Sequence, residues 1–311
     1  MRVALIYGGE GLEREVSISG FRHLFPILRE KYDLLPIYID TDGNWIYKTE
    51  RVFPTYGGFY SKENEIFYPI DAAFPLLHGD LGEDGIIQGA LRTAKIPFVG
   101  CDTGSGAIAR DKWVVKSIAK DLGIPTLPAC LLKKGERPAL PLPLFIKPTS
   151  LGSSLGCGEA RDEKALSAAL DRAFAVSPRV MAEPLLEGKR ELECGYFATK
   201  SKELFTNPGE ILTDSFYDYG AKYNGGTRVR AKADLNAPIR ERIKDYSRRL
   251  VEAIGIRQIA RIDFFLSGDR LYLNEINTMP GFTPDSLYPK MLEGEGIGLS
   301  DLLSGLIEGC L

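Results

Sequence analysis

The sequence predicts an α/β protein whose N-terminal part contains a parallel sheet. Residues 3–7 form an apolar run that ends in Gly8-Gly9, as in a buried strand followed by a glycine turn into a helix. Further short apolar runs follow at residues 34–39, 72–77 and 96–99. The amphipathic stretch 86–94 lies between the last two of these runs. Strands that alternate with helices favour a parallel sheet.

The second half of the chain predicts a different mixture of helices and short strands. Small residues and glycines at 101–106 mark a domain boundary before the first of these helices. Helices are predicted at 111–122, 163–174 and 238–254, and strands at 145–148, 179–186, 191–197, 259–265 and 271–273. The polar, glycine-bearing stretch 206–230 is typical of a mobile loop or lid.

Composition narrows the class of protein. The chain has 311 residues, of which 44% are hydrophobic, so it is long enough for about two or three domains with real cores. Its 39 basic and 42 acidic residues give a net charge of −3, which disfavours nucleic acid as a partner. The five cysteines are scattered without CxxC spacing, which favours reduced thiols in the cytoplasm over disulfides or zinc. Neither a signal peptide nor a membrane-spanning run is expected.

A loop of glycine and serine residues follows the strand that ends in Lys147-Pro148. In the segment 150–156, glycines allow backbone N–H groups to approach a phosphate, and hydroxyls and the upstream lysine add donors and positive charge. The loop matches neither the P-loop nor the dinucleotide-binding glycine spacing. Taken alone, it is more often a simple turn, and both interpretations stay open.

Four polar residues interrupt two apolar strands near the end of the chain. Glu275 and Asn277 project to the same face of an extended segment, and Asp263 on a neighbouring strand completes a set of oxygen ligands suited to Mg²⁺. The alternative is a salt bridge of Arg261 with Asp263 or Glu275. A surface salt bridge explains poorly why charges interrupt both strands at matching places.

Two loops carry weaker signals. The Pro/Gly loop 279–287 could bring backbone donors beside the cation, or it could be only a reverse turn. His78, near the carboxyl end of a predicted strand, stands where ligands bind in open α/β sheets. A lone histidine, however, is more often structural.

Taken together and in order, these segments resemble the D-alanine–D-alanine ligases of the ATP-grasp superfamily. The matching pieces are Gly8-Gly9, residues 13–17, His78-Gly79, 82–85, Gln88-Gly89, 123–126, Lys147-Pro148, 152–154, 261–263, 275–278, Pro280-Gly281, Thr283 and Ser286-Leu287. The resemblance implies an N-terminal Rossmann-like parallel-sheet domain, 1–103, and a two-lobed ATP-grasp unit. Its central lobe would span 104–184, and its C-terminal lobe 185–311 would carry the lid and the metal site.

The resemblance also implies an activity. Members of this family join two D-alanines with ATP: the first carboxylate attacks the γ-phosphate, and the second amine displaces phosphate from the resulting acyl phosphate. The implied partners are D-alanine, ATP and two ions of Mg²⁺ or Mn²⁺. A homodimer in the cytoplasm that supplies peptidoglycan precursors, without a nucleic-acid or membrane partner, is expected.

The same resemblance implies the roles of individual residues. The residues that would bind ATP are Lys112, Lys147, Gly152, Ser153, Ser154, Glu183, Glu191, Lys222 and Phe265. The metal ligands would be Asp263, Glu275 and Asn277. The residues that would bind the amino-acid substrates are Glu15, His78, Lys222, Ser286 and Leu287. Arg261 and the N–H of Gly281 would hold the oxyanion, and Glu15 would bond to Ser153 and the lid residue Tyr223.

Two alternatives are weighed. D-serine could be the second substrate. Tyr223 resembles the enzymes that make dipeptides rather than depsipeptides, and Leu287 resembles those that choose D-alanine. Two positions depart from this pattern: Asp285 stands where many relatives have histidine, and residues 282–284 resemble the D-serine branch. A catalytically silent nucleotide-binding protein of the same fold is a remote second alternative. A silent relative should lack Asp263, Glu275, Asn277 or Arg261, and all four are present.

Overall fold

The structure, a computed structural model, describes residues 1–212 and 228–311. Its strands form three sheets within these ranges. The first sheet has the order β6-β5-β4-β3-β2-β1-β7, and only β2, β1 and β7 are parallel to one another. Its strands and helices are β1 (Arg2–Gly8), α1 (Arg14–Leu28), β2 (Asp33–Ile39), β3 (Trp45–Tyr47), β4 (Glu50–Thr55), β5 (Gly58–Ser61), β6 (Ile66–Pro69), β7 (Ala72–Pro75) and α2 (Ile86–Thr93).

The parallel sheet is confirmed for β2, β1 and β7, but two expectations near it were wrong. Residues 45–69 form four antiparallel strands that extend the sheet, and the sequence reasoning assigned none of them. Residues 96–99, expected as a strand, contribute only an isolated bridge between Phe98 and Ala73. Their contact with β7 is too short to make a strand.

Glycine is required where β1 turns towards α1. Gly8 has φ of +99°, and a Cβ there would collide with the carbonyl oxygen of Ile39. The turn brings Glu13 and α1 to the carboxyl end of the parallel strands, where open α/β sheets bind ligands.

The second sheet is antiparallel, with the order β10-β9-β11-β8. Its region contains α3 (Thr103–Arg110), α4 (Lys112–Asp121), β8 (Cys130–Leu132), β9 (Leu144–Pro148), β10 (Gly158–Ala160), α5 (Glu163–Val176) and β11 (Val180–Pro184). The Asp111 side chain caps α4 by accepting hydrogen bonds from the N–H groups of Trp113 and Val114. This cap fixes Lys112 in the first turn of the helix.

The third sheet has the order β15-β14-β12-β16-β17, with β13 also paired to β12. Its region contains β12 (Arg190–Ala198), β13 (Glu203–Phe205), β14 (Gly209–Leu212), β15 (Arg228–Arg230), α6 (Ala237–Ile254), β16 (Ile259–Ser267), β17 (Arg270–Asn277), α7 (Leu287–Gly294) and α8 (Leu299–Gly309). The ends of the stretch predicted as a lid are therefore paired strands, β14 and β15. The expected lid residues Lys222 and Tyr223 lie outside the described residues.

One apolar core joins the first sheet to the C-terminal helices. Val3, Leu5 and Phe74 of the sheet belong to the same buried cluster as Phe282 and Leu306. Phe74 and Phe282 meet edge to face, with ring centroids 5.8 Å apart. The two ends of the chain thus pack together, which holds the loop after β17 against the N-terminal sheet.

Two further expectations concern cysteines and membranes. All five cysteines are free. Within residues 1–212 and 228–311, no helix has the length and apolar character that crossing a bilayer requires.

Candidate active site

A cavity of about 820 Å³ collects the side chains that the sequence singled out. It is lined by residues from all three sheet regions and their loops. The predicted site residues that line it are Glu15, His78, Lys112, Lys147, Gly152, Ser153, Ser154, Glu183, Glu191, Arg261, Asp263, Phe265, Glu275, Asn277, Gly281, Ser286 and Leu287. Positions distant in sequence are therefore brought to one place, as a substrate site requires.

The register of the third sheet explains how its polar residues share one face. Asp263 of β16 lies opposite Glu193 of β12 and Glu275 of β17, and Arg261 lies opposite Asn277. Because side chains alternate along a strand and match across it, these residues project to the same side of the sheet. The predicted acidic set is thus extended by a residue that the sequence reasoning missed, Glu193.

Arg261 is held by two carboxylates. Its Nε and Nη2 donate to Asp263 Oδ1 and Oδ2 over 2.8 and 2.7 Å, and its Nε lies 3.3 Å from Glu193 Oε1. Burial alone would lower the pKa of Arg261, but Asp263 and Glu193 outweigh it and raise the pKa well above its ordinary value. The salt bridge considered as an alternative is therefore present, and it lies inside the cavity rather than on the surface.

Two nearly buried lysines face the acidic groups. Lys112 Nζ lies 3.2 Å from Glu275 Oε2 and donates to the carbonyl oxygen of Leu151 over 2.9 Å. Lys147 Nζ lies 2.7 Å from Glu183 Oε2 and 3.2 Å from Asn274 Oδ1. Their positive charges are thus fixed on the side of the cavity formed by the second sheet.

Glu183 pairs with a second lysine, Lys116, which the sequence reasoning did not identify. Lys116 also donates to the carbonyl oxygen of Leu127 over 2.9 Å. Burial alone would raise the pKa of Glu183, but Lys147 and Lys116 outweigh it and lower the pKa. Glu183 therefore stays ionised and holds Lys147 in position.

The glycine-serine loop closes against the N-terminal region through Glu13, not Glu15. Ser153, with φ of +51°, donates its hydroxyl to Glu13 Oε1. Among the described residues, Glu15 bonds to Arg14 over 2.7 Å instead of to Ser153, and its side chain is 70% exposed. The expectation was wrong because α1 begins at Arg14, and residues two apart at a helix start point in different directions.

Both histidines of the chain hold one loop, residues 279–282. His78 Nδ1 donates to the carbonyl oxygen of Met279 over 3.0 Å, and His23 Nδ1 donates to that of Phe282 over 2.8 Å. Burial lowers the pKa of His78, so its ring is neutral at physiological pH. His23 was not predicted, and its sequence context gives no signal for this contact.

The longer loop 279–287, which continues from this segment, presents Ser286 to the cavity. Ser286 Oγ accepts from the N–H of Thr283 over 3.0 Å and lies 2.9 Å from Thr283 Oγ1. A Cβ on Gly281 would lie only 2.7 Å from Ser286 Oγ, so a larger residue there would displace the loop or the serine. Beside Ser286, the side chain of Leu287 is buried against Gly209.

Comparisons with known proteins identify the family. Family models described as the N- and C-terminal regions of D-ala D-ala ligase match residues 2–58 and 54–101 and residues 119–308. The chain belongs to the D-alanine–D-alanine ligase family. A ligase from Solibacter usitatus is 37% identical and one from Deinococcus radiodurans 36% identical. The first alignment covers 100% of this chain and 95% of the relative, and the second covers 99% and 97%.

Solved structures of the family agree with the fold. D-alanyl-alanine synthetase A from Vibrio cholerae matches with a TM-score of 0.89 and 29% identity, covering 100% of this chain and 98% of that one. The VanG D-Ala:D-Ser ligase from Enterococcus faecalis matches with a TM-score of 0.89 and 30% identity, covering 100% and 99%. A Bacillus anthracis ligase solved with ATP matches with a TM-score of 0.78 and 28% identity, covering 100% and 97%. The predicted ATP-grasp fold is confirmed.

On the far side of the cavity, this family member places an aromatic ring beside a carboxylate. Phe265 lies opposite Glu191 across β16 and β12. The Lys189 ammonium lies 4.9 Å from the Phe265 ring centroid and 3.4 Å from Glu191 Oε1. An apolar face with polar groups at its edge suits a nucleoside.

The acidic face fits a hard divalent cation by the chemistry of its donors. Asp263 and Glu275 supply carboxylate oxygens and Asn277 an amide oxygen, the ligand types that Mg²⁺ prefers. In the described ranges, no group of three or more His, Cys, Asp or Glu side chains is arranged around a metal position. The set of possible ligands therefore includes the Asn277 amide as its third member. Asn277 Nδ2 lies 3.0 Å from Asp263 Oδ2. Lys112 pairs with Glu275 and Arg261 pairs with Asp263, so both carboxylates are neutralised.

Proposed function

We propose that this protein joins two molecules of D-alanine into D-alanyl-D-alanine, converting ATP into ADP and phosphate, and thereby supplies peptidoglycan precursors. The observation that carries the proposal is one cavity lined by two lysines, the Asp263–Glu275 face and the Glu13–Ser153 contact. A phosphate donor and an amino acid can therefore meet in one site. The full-length relatives named as D-alanine–D-alanine ligases support the same substrates.

ATP would occupy the side formed by the second and third sheets. Lys112 and Lys147 would contact its phosphates, and the loop 152–154 would cover them with backbone N–H groups and hydroxyls. Glu183 and Glu191 would contact the adenine and ribose, with Phe265 against the ring system. The relative solved with ATP supports a nucleotide site in this fold.

Asp263, Glu275 and Asn277 would hold Mg²⁺ or Mn²⁺ against the phosphates, and we propose two ions. The bound cations would neutralise phosphate charge during transfer. Lys112 and Arg261, which now pair with the two carboxylates, carry positive charge at the same place. The two basic side chains and the metal would therefore all neutralise negative charge on the phosphates.

The first D-alanine would place its ammonium group on Glu13. This assignment replaces Glu15, because Glu13 is the carboxylate that meets Ser153 and lies beside Gly152. The free carboxylate of this D-alanine would then point to the γ-phosphate and form the acyl phosphate. Water exclusion by the loop protects that intermediate from hydrolysis.

The second D-alanine would bind with its carboxylate at Ser286 and Lys222, of which Lys222 lies outside the described residues. Attack of its amine on the acyl phosphate produces a tetrahedral oxyanion. The Arg261 guanidinium and the N–H of Gly281 would stabilise that charge, and neutral His78 would line the same subsite. Phosphate then leaves and the peptide bond is complete.

D-serine is the second candidate for the second subsite, because the D-Ala:D-Ser ligase VanG is 30% identical. The buried, apolar Leu287 offers a serine hydroxyl no partner, which favours D-alanine by up to about a hundredfold. A competition between the two amino acids at fixed pH, read as the product ratio, separates the candidates. A majority of D-Ala-D-Ser would replace the D-alanine proposal.

Phosphate release that depends on D-alanine and ATP is the direct test. In Lys147→Ala, we expect kcat/KM to fall at least about a hundredfold because a charge on the phosphates is lost. Lys62→Ala, at an exposed lysine, is the matched control and should keep its activity. Unchanged turnover in a folded Lys147→Ala variant would contradict the assignment. ATP binding without turnover in the wild type would support the silent alternative.

We also propose that the enzyme works in the cytoplasm as a homodimer without nucleic-acid or membrane partners. The basis is its resemblance to the family and its mildly acidic charge. Light scattering should give twice the 34.3 kDa chain mass. A monomeric mass at micromolar concentration would overturn the dimer.

A further inference from the structure

Arg110 and Glu83 form a buried ion pair beside the cavity that the chemistry proposed above does not use. Arg110, the last residue of α3, places Nη1 2.9 Å from Glu83 Oε2, and the two side chains are only 9% and 8% exposed. Nη2 of the same guanidinium lies 3.4 Å from Asp80 Oδ1. Removing either partner of such a pair leaves an uncompensated buried charge. The pair therefore fixes the loop after β7 to the end of α3.

The same guanidinium lies beside Glu13 without forming an ion pair with it. A Cβ on Gly152 would be 2.9 Å from Glu13 Oε2 and 3.2 Å from Arg110 Nη1. A Cβ on Gly79 would overlap Glu13 Oε2 and lie 3.3 Å from Arg110 Nη2. Both groups thus face the same two glycines. Among the described residues, the ion pairs of Arg110 are with Asp80 and Glu83.

Charge balance decides what this arrangement does to Glu13. An arginine at such short range would compete for the carboxylate with an incoming ammonium group, because charges interact strongly in a partly buried site. Glu83 cancels the Arg110 charge, so Glu13 keeps its own charge for a ligand. Burial raises the pKa of Glu83, and even with the opposing effect of Arg110 the pKa lies at about 7. The carboxylate charge of Glu83 near neutral pH thus depends on Arg110.

We propose that Glu83 is a positioning residue for Glu13 and acts through Arg110. Through Glu83, Arg110 ties the loop after β7 to the end of α3, beside the Glu13 carboxylate. Glu83 neutralises Arg110, so that Glu13 stays available to the ammonium group of the first amino acid. The inference rests on the proposed function, because it places an amino-acid ammonium group at Glu13.

Single and double variants test the charge balance. In Glu83→Gln, Arg110 loses its main counterion and turns to Glu13, so KM for the first D-alanine should rise at least about tenfold. KM for ATP should change by less than about twofold, because the nucleotide side is untouched. Adding Arg110→Met removes the competing cation. The double variant should return KM for D-alanine to within about threefold of the wild type, which a merely structural role would not produce.

Controls and contrary outcomes are defined by the same measurements. Arg137→Met and Glu163→Gln, at an exposed ion pair with 69% and 65% exposed side chains, should change neither KM. The proposal is overturned if Glu83→Gln leaves KM for D-alanine unchanged, raises both KM values alike, or is not rescued by Arg110→Met. If the double variant does not fold, Glu83→Asp, which keeps the charge, must show a smaller rise than Glu83→Gln. If the wild-type enzyme shows no turnover that depends on D-alanine, the proposed function itself is contradicted.

Discussion

At the scale of single residues, a shift of two positions separates the expected carboxylate from the observed one. The sequence Glu13-Arg14-Glu15 contains two glutamates that suit an ammonium group equally well. Only the start of α1 decides between them, because Glu13 precedes the helix and bonds to Ser153 while the largely exposed Glu15 pairs with Arg14. Helix boundaries are the least certain part of a prediction from sequence, so this choice required the structure.

Two other residues of the site were missed for a different reason. Lys116 lies on the buried face of α4 together with Lys112, Val115 and Ala119, at the helical spacing of an apolar stripe. A second lysine in such a stripe signals a buried partner and could have been recognised. Glu193 lies in β12, where six consecutive residues are buried. The strand therefore lacks the alternation of apolar and polar residues that would indicate which side chains face the cavity.

Glu193→Gln should impair catalysis without weakening nucleotide binding. The change keeps the side-chain size but removes one of the two carboxylates that hold Arg261. Of the two carboxylates in contact with Arg261, only Asp263 then remains charged, and we expect kcat to fall about tenfold with KM for ATP nearly unchanged. Steady-state kinetics measure both constants. Glu241→Gln, at an exposed pair, is the control, and an equal loss there would contradict the role of Glu193.

At the scale of elements, the long apolar strands and amphipathic helices were predictable and the short polar strands were not. The predicted strand 259–265 is observed as Ile259–Ser267, and the predicted helix 238–254 as Ala237–Ile254. By contrast, β3 to β6 contain three to six residues each and expose several side chains. Such strands depend on pairing with their neighbours, which no local pattern reveals.

Gly281→Ala should damage the loop between β17 and α7. The new methyl group would meet Ser286 Oγ at 2.7 Å, so either the loop or the serine must move. Because Ser286 is proposed to hold the second D-alanine, we expect its KM to rise about tenfold while KM for ATP stays within about twofold. Gly294→Ala, with open space around the position, is the control. Unchanged kinetics in Gly281→Ala would exclude a tight loop at this site.

At the scale of the whole molecule, the ordered motifs identified the family and therefore the fold. The proposed boundary at residue 103 remains a prediction. The sequence did not show that the first sheet shares its core with helices from the end of the chain, because such packing joins residues about 300 positions apart. That shared core places His78 and the 279–287 loop side by side.

Leu306→Ala should weaken the N-terminal sheet as well as the C-terminal helices. Leu306 is fully buried in the core that contains Val3, Leu5 and Phe74. We expect the free energy of unfolding to fall by about 2–5 kcal/mol. Denaturant unfolding gives the loss, and hydrogen exchange should show less protection in both β1 and α8. Loss of protection in α8 alone would contradict a common core.

The two histidines have a practical consequence. Each imidazole touches a carbonyl of the same four-residue segment, 279–282, and the chain contains no other histidine. A sample carrying ¹⁵N only in histidine would give one pair of ring-nitrogen resonances per imidazole. These natural reporters would let spectroscopy follow the substrate loop during binding, with no substitution or bulky tag introduced near it.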